Sequence, residues 1–139
     1  MPKLAIDGGT PVRAGMLPYG RQAVDQEDIE AVVDVLRSDW LTTGPKVAEF
    51  ETAWSRTTGA RHTISVSSGT AALHAAAFGA GIGRGDEVIV PALTFAASAN
   101  CVLYQGGKPV FVDVQADTLN VDPAAVEAAI THRTRAIVA

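Results

Sequence analysis

The sequence lacks several features that mark large protein classes. Its single cysteine, Cys101, excludes an intramolecular disulfide and leaves no cysteine spacing for a metal site. The longest apolar stretch, residues 71–82, is interrupted by His74 and is too short to cross a bilayer. Residues 1–20 have no basic start followed by an apolar run, so they do not resemble a secretory signal. We therefore expect a cytoplasmic protein with no metal and no membrane partner.

The charge balance also limits the possible partners. The chain has 15 acidic and 11 basic residues and a net charge of −4, whereas surfaces that bind nucleic acid are normally basic. The hydrophobic fraction of 47% and the charged fraction of 19% are typical of a soluble globular protein. A length of 139 residues suits one compact domain or part of one. We expect a small-molecule partner and no nucleic acid.

Two helices are predicted in the first part of the chain. Asp25 precedes apolar residues at helical spacing, which predicts a helix over residues 26–38 with Asp28 in position to complete a capping box. Pro45 suits the first position of a second helix, and Gly59 suits its end.

From His62 onward, short apolar strands alternate with helices. Strands are predicted over residues 63–66, 87–90 and 109–114, with another beginning at 136–139. The intervening helices are predicted over residues 68–79, 95–105 and 122–130. This alternation predicts an α/β fold with a mostly parallel sheet flanked by helices. Because the sequence ends as a strand begins, we expect its C-terminus to be truncated.

The turn Ser67-Ser68-Gly69-Thr70 is the strongest candidate for a ligand site. Hydroxyls and free backbone N–H groups meet there at a helix N-terminus, where the helix dipole favours an anion and glycine allows close approach of the backbone. A phosphate group fits this chemistry. An ordinary serine cap on a buried helix explains the same tetrapeptide, so the residues alone leave both interpretations open.

Phe95 is the second candidate. It follows the strand that ends at Pro91, in the region where open α/β sheets bind ligands, and its ring could stack on a flat cofactor. A buried core position is the common alternative for phenylalanine. The three histidines are isolated from one another in sequence, and no lysine has the buried setting that lowers the pKa of a Schiff-base lysine. We therefore predict no catalytic residue in this chain.

Five ordered sequence blocks resemble those of the DegT/DnrJ/StrS family of pyridoxal-phosphate (PLP)-dependent aminotransferases. The blocks are residues 40–46 with 50–51, 68–74, 85–91, 94–95 and 109–114. Family members are fold-type-I transferases more than twice as long as this chain. The resemblance implies that residues 25–139 are the N-terminal part of the large PLP-binding domain and that residues 1–24 form an N-terminal arm.

The resemblance also implies roles for individual residues. Those expected to bind the phosphate of PLP are Ser68, Gly69, Thr70 and Ala71, and Phe95 is expected to stack against the pyridine ring. Those expected near the substrate entrance are Trp40, Leu41, Thr42 and Gly44, although a purely structural loop is also compatible with their sequence. The family's Schiff-base lysine and pyridinium-pairing aspartate fall beyond Ala139, so the chain alone is expected to be inactive.

The complete enzyme implied by the resemblance is a homodimer that transfers an amino group from glutamate to a nucleotide-linked keto sugar. Residues 18–22 and 98–101 look most like those of members that aminate 4-keto-6-deoxy sugars. One alternative is a noncatalytic truncated paralogue or split-gene half that acts as a binding or assembly module. Another is a PLP-dependent sugar dehydratase, in which histidine replaces the lysine. A plain nucleotide-binding domain is disfavoured, because no glycine-rich turn with a ribose-binding acid follows a strand.

Overall fold

A computed structural model describes residues 3–139. The backbone groups into two compact units, the first ending at Pro45 and the second spanning Lys46–Ala139. Residues 1 and 2 of the predicted arm, residues 1–24, lie outside the described part of the chain. The described part of that arm contains one turn of 3-10 helix, Ala5–Asp7.

The first unit contains helix α1, Gln26–Arg37, close to the predicted bounds. The Asp25 carboxylate accepts a hydrogen bond from the backbone N–H of Asp28 at 3.0 Å, and Asp28 accepts one from the backbone N–H of Asp25 at 3.1 Å. This reciprocal pair confirms the predicted capping box, which satisfies two N–H groups that the helix leaves unpaired. The apolar stripe of α1 remains open to solvent, with Val32 and Leu36 60% and 64% exposed.

The chain continues with three strands and four further helices. They are α2 (Pro45–Thr58), α3 (Gly69–Gly79), β1 (Glu87–Pro91), α4 (Ala97–Tyr104), β2 (Lys108–Val112), α5 (Pro123–Ala129) and β3 (Thr134–Ile137). The strands form one sheet in the order β2-β1-β3, and both pairings are parallel. The predicted α/β architecture with a parallel sheet and flanking helices is confirmed.

The core lies where α3 and α4 cover the central strand. Every residue of β1 is buried, and the apolar residues 88–91 suit a strand covered on both faces. Val88 and Val90 point to the same face, because side chains alternate along a strand, and they pack with Ala77 of α3 and Cys101 and Val102 of α4. Cys101, at 2% exposed, therefore acts as a small core residue.

The strand predicted over residues 63–66 is wrong. The segment is extended but belongs to no ladder, and Ile64 is 81% exposed. Its apolar residues favour a strand, yet a strand also needs a neighbouring backbone to pair with, and none of the described residues supplies one. A side chain of α2 takes the place of one missing backbone partner: Oε1 of Glu51 accepts a hydrogen bond from the backbone N–H of Ser65 at 2.7 Å.

Three predicted boundaries also differ from the structure by two residues, one of them the start of β3, which lies at Thr134 and not at residue 136. Helix α4 begins at Ala97 and not at Phe95, because the residues before it form a turn in which the N–H of Ser98 bonds to the carbonyl of Phe95 at 3.0 Å. Strand β2 ends at Val112, and Val114 instead forms a single antiparallel bridge with Val121. The chain therefore leaves the sheet earlier than its apolar run suggested.

Candidate functional site

Helices α3 and α4 both begin at the carboxyl edge of the sheet. The C-terminal end of α3 lies beside the amino end of β3, where Nε of Arg135 donates to the carbonyl of Ala80 at 3.1 Å. Helix α4 follows the carboxyl end of β1 and ends at Tyr104, shortly before β2 begins. Both helices therefore run opposite to the strands, and their N-termini share the edge at which open α/β sheets bind ligands.

Ser68 caps the N-terminus of α3. Its backbone is extended, and its Oγ accepts a hydrogen bond from the N–H of Ala71 at 3.1 Å. Its carbonyl accepts from the N–H of Ala72 at 3.0 Å, which is the first bond of the helix. The serine-cap interpretation of this turn is thus confirmed, and the cap uses the Ala71 amide.

Two backbone N–H groups remain available at the same helix end. Within residues 3–139, the amides of Gly69 and Thr70 have no acceptor, and both residues are exposed. A Cβ atom added at Gly69 would meet nothing within 4 Å, so the space beyond the helix start is open. Because the helix dipole places partial positive charge here, the geometry suits an anion. The capping interpretation and the anion-site interpretation are therefore compatible with each other.

Phe95 lies in the loop between β1 and α4, and its side chain is outside the core. It is 77% exposed, so the alternative of a core phenylalanine is wrong. Exposure alone does not mark Phe95 as a candidate ligand-binding residue, since Phe78 is 74% exposed. The two differ in position: Phe78 lies at the C-terminal end of α3, whereas Phe95 lies at the carboxyl edge of the sheet with the free amides of α3.

The sequence alone did not identify Thr94 and Ser98, two residues that hold the Phe95 loop. The hydroxyl oxygens of Thr94 and Ser98 are 2.8 Å apart, within hydrogen-bonding distance, and Ser98 is buried. The sequence feature that could have identified them is the presence of two hydroxyl residues, four positions apart, on either side of Phe95. Hydroxyl side chains at that spacing can bond across the start of a helix.

The loop at residues 40–44 belongs to the first compact unit. The N–H of Trp40 donates to Oγ of Ser38 at 3.1 Å, and Trp40 and Leu41 are 59% and 64% exposed. A Cβ atom at Gly44 would approach Cβ of Trp40 to 2.9 Å, so the close turn requires glycine here. Thr42 is exposed. The role of these residues toward a substrate stays a prediction.

The lysines of the second unit are surface residues bonded to carboxylates. Nζ of Lys108 lies 3.3 Å from Oε1 of Glu87 at the amino edge of the sheet, and Nζ of Lys46 lies 2.7 Å from Glu49. Their side chains are 72% and 63% exposed, which confirms that neither has a buried setting. A polar groove of about 530 Å³ between α2 and residues 60–63 contains none of the predicted cofactor-binding residues.

The part of the chain that the structure describes offers no cluster of three or more His, Cys, Asp or Glu side chains suited to a metal ion. In the same part, every helix is too short or too polar to span a membrane. The candidate site is therefore the start of α3, whose geometry suits an anion, together with Phe95. These features define an α/β domain whose parallel sheet has a candidate ligand site at its carboxyl edge.

The family follows from comparison with known proteins. The model of the DegT/DnrJ/EryC1/StrS aminotransferase family matches residues 22–139, and the chain belongs to this family. The resemblance noted in the five sequence blocks is thereby confirmed.

Individual relatives are similar over most of this chain. It is 52% identical over 122 residues to UDP-4-amino-4-deoxy-L-arabinose–oxoglutarate aminotransferase of Shewanella sediminis, covering 88% of this chain and 31% of that protein. The PLP form of Spr1654 from Streptococcus pneumoniae, described as a sugar aminotransferase, superposes with a TM-score of 0.79 at 43% identity, covering 87% and 31%. DesV of S. venezuelae, in complex with a ketimine intermediate, gives 0.74 at 42% identity, covering 80% and 30%. The chain thus spans about a third of these relatives' length.

Proposed function

We propose that this chain is the N-terminal part of a PLP-dependent aminotransferase that transfers an amino group from glutamate to a nucleotide-linked keto sugar, such as a 4-keto-6-deoxy sugar. Family membership supports the aminotransferase class. The Shewanella sediminis relative is named for a UDP-linked 4-amino sugar and for oxoglutarate, the keto acid that glutamate becomes on losing its amino group. The observation that carries the proposal is the pair of unbonded amides at Gly69 and Thr70, which share a sheet edge with the exposed Phe95.

The residues at this edge fit the two ends of PLP. The N–H groups of Gly69 and Thr70 would donate to the phosphate, aided by the dipole of α3 and the exposed Thr70 hydroxyl. Ser68 would hold the helix start in place, and Ala71 would join the phosphate site if its amide exchanged Ser68 for the ligand. Phe95 would cover one face of the pyridine ring and exclude water from it. When bound, PLP supplies the electron sink that amino-group transfer requires.

Residues outside this chain would carry the proton transfer. Lys108 is bonded to Glu87 at the opposite edge of the sheet, too far from the start of α3 to act there. We propose that a longer parent protein, acting as a cytoplasmic homodimer, supplies the lysine and the pyridinium-pairing aspartate. The match to only about 31% of the relatives' length supports this. Those proposed to contact the sugar in the parent enzyme are Trp40, Leu41, Thr42 and Gly44.

The phosphate site is tested by removing one amide without breaking the helix. Proline is tolerated at the first helical position, so Gly69→Pro deletes the N–H there, while Gly69→Ala keeps it and adds a methyl group that meets no protein atom within 4 Å. Because hydrogen bonds to charged groups contribute about 1.5–3 kcal/mol, Gly69→Pro should bind PLP roughly 10- to 100-fold more weakly than Gly69→Ala by equilibrium dialysis.

Pyridoxal, which lacks the phosphate, is the matched ligand control. It should bind the wild-type chain much more weakly than PLP and should bind Gly69→Pro and Gly69→Ala equally. Borohydride should trap PLP on the exposed Lys46 and Lys108 to the same extent in Gly69→Pro and Gly69→Ala, because surface lysines react with the aldehyde without use of the phosphate site. Equal PLP affinity in both variants would refute the proposed phosphate site.

The DNA that follows codon 139 tests whether this chain is part of a complete enzyme. An in-frame continuation after codon 139 that encodes an aspartate and then a lysine would support the aminotransferase, and the expressed product should aminate a nucleotide-linked keto sugar with glutamate as donor. A histidine in place of the lysine would favour the dehydratase. A stop directly after codon 139 would favour the noncatalytic module.

A further inference from the structure

Phe95 lies between two polar side chains that contact each other across it. The hydroxyl oxygens of Thr94 and Ser98 are 2.8 Å apart, and the backbone N–H of Ser98 donates to the carbonyl of Phe95 at 3.0 Å. Ser98 is 8% exposed, whereas Phe95 is 77% exposed. An exposed ring is thus joined to a buried anchor through both its own backbone and the side chain of the preceding residue.

The start of α4 has no side-chain cap. Ala96 occupies the N-cap position of α4 and has no side chain that can accept a hydrogen bond from the helix. Ser98 itself is held in place, because the Cys101 Sγ donates to its carbonyl at 3.3 Å within the core. The hydroxyl pair therefore adds a side-chain restraint to the backbone bond between the Ser98 N–H and the Phe95 carbonyl. Because the ring of Phe95 is exposed, few side-chain contacts besides this pair limit the conformational freedom of the loop.

We propose that Thr94 and Ser98 form a positioning pair that holds Phe95 in the orientation needed to cover the flat ring of a ligand at the carboxyl edge of the sheet. This inference rests on the proposed function, since the ligand is the cofactor assigned there. Neither hydroxyl needs to touch the cofactor. A loop that is already ordered loses less conformational entropy on binding, so the pair raises affinity through Phe95.

Fluorine NMR of the 139-residue chain tests the orientation directly. The chain has four phenylalanines, so labelling with 4-fluorophenylalanine gives four signals, and Phe95→Leu identifies the one from Phe95. Thr94→Val removes the hydroxyl at nearly equal size, and Thr94→Ser retains it. The matched control is Thr57→Val, which deletes a hydroxyl bonded to the Ala53 carbonyl in α2 at 3.0 Å.

Thr94→Val should move the Phe95 signal toward its position in the urea-unfolded chain and leave the other three signals in place. Thr94→Ser and Thr57→Val should keep the wild-type position. If Thr94→Val fails to fold, Ser98→Ala breaks the pair from its other side and gives the same comparison. A Phe95 signal that stays at the wild-type position in a folded Thr94→Val or Ser98→Ala chain would overturn the proposal.

PLP affinity, measured by the circular dichroism induced in the bound cofactor, separates this inference from the proposed function. Thr94→Val should bind PLP about three- to tenfold more weakly, through lost preorganisation, and Thr94→Ser should restore the affinity. Unchanged affinity in Thr94→Val despite a displaced Phe95 signal would refute a role toward the ligand. Absence of PLP binding by the wild-type chain would instead refute the proposed function, and the NMR comparison would still decide whether the pair orients Phe95.

Discussion

The guanidinium of Arg133 donates from Nη2 to Oε1 of Glu87 at 2.9 Å and so joins the turn before β3 to the first residue of the central strand. The Thr131 hydroxyl donates to Oε2 of the same carboxylate at 2.7 Å, and Nζ of Lys108 from β2 lies 3.3 Å from Oε1. One carboxylate, 4% exposed, therefore connects β1 to β2 and to the turn before β3 at the amino edge of the sheet. The hydrogen bond from Thr131, then that from Arg133, lower the pKa of Glu87 to about 2 against the opposing effect of burial.

This carboxylate should make stability depend on pH in the acid range. Because its pKa is lowered in the folded state, the stabilisation is fully present above the ordinary value of 4.5 and is lost as pH falls toward 2. The urea midpoint of the wild-type chain should fall across that window. Glu87→Gln should have a lower midpoint at pH 7 and a smaller fall between pH 4.5 and pH 2.

Glu49→Gln is the control for Glu87→Gln, because Glu49 pairs with Lys46 on the surface, where an ion pair contributes little. Its pH profile should match that of the wild-type chain. Identical profiles for Glu87→Gln and the wild type would show that the carboxylate at the amino edge does not contribute to stability through its charge.

The cap of α3 should contribute measurably to stability. Ser68→Ala removes the acceptor for the Ala71 amide, and loss of such a cap destabilises by about 1 kcal/mol. Urea unfolding should show this loss, and hydrogen exchange at the Ala71 amide should accelerate. Ser67→Ala is the matched control, since within the described residues Ser67 makes no hydrogen bond. Equal effects of the two changes would mean that the cap is not formed in solution.

The connection between α2 and the segment before the phosphate turn should also be sensitive to substitution. Glu51→Ala removes the acceptor of the Ser65 amide, a charge-assisted bond that we expect to stabilise by about 1.5–3 kcal/mol. Hydrogen exchange at Ser65 should accelerate, and urea stability should fall. Glu51→Gln retains a neutral acceptor and should lose less. Unchanged exchange at Ser65 in Glu51→Ala would show that α2 does not hold this segment.

The Cys101 thiol should react slowly while the chain is folded. Burial raises the pKa of Cys101, and the thiolate is the reactive form. Alkylation by iodoacetamide at pH 8 should be about 100-fold slower than in urea, because the thiol becomes accessible only on local or global opening. A chain carrying Thr52→Cys together with Cys101→Ala places the thiol on an exposed face of α2 and should react rapidly in both conditions. Equal rates for Cys101 in the folded and unfolded chain would contradict the packing of α4.

Residues that act through their near neighbours were predictable from the sequence. Asp25 and Ser68 form caps with backbone groups three residues away, and β1 lies where its apolar residues predicted a strand. The Thr94 and Ser98 pair is local too, and its four-residue spacing was the only sequence signal for it. The strand predicted at residues 63–66 is wrong because an apolar sequence does not show whether a neighbouring backbone is available to pair with it.

The helix caps, the family blocks and the chemical character of the turn at Gly69 could be read from the chain alone, because each depends on interactions within a few residues or on a visible motif. Only the tertiary structure brought the start of α3 and Phe95 to one edge of the sheet and placed Arg133 against Glu87, 46 residues apart. Contacts over such distances depend on how strands pair and helices cover them. That order arises from packing of the whole chain, so no local pattern encodes it.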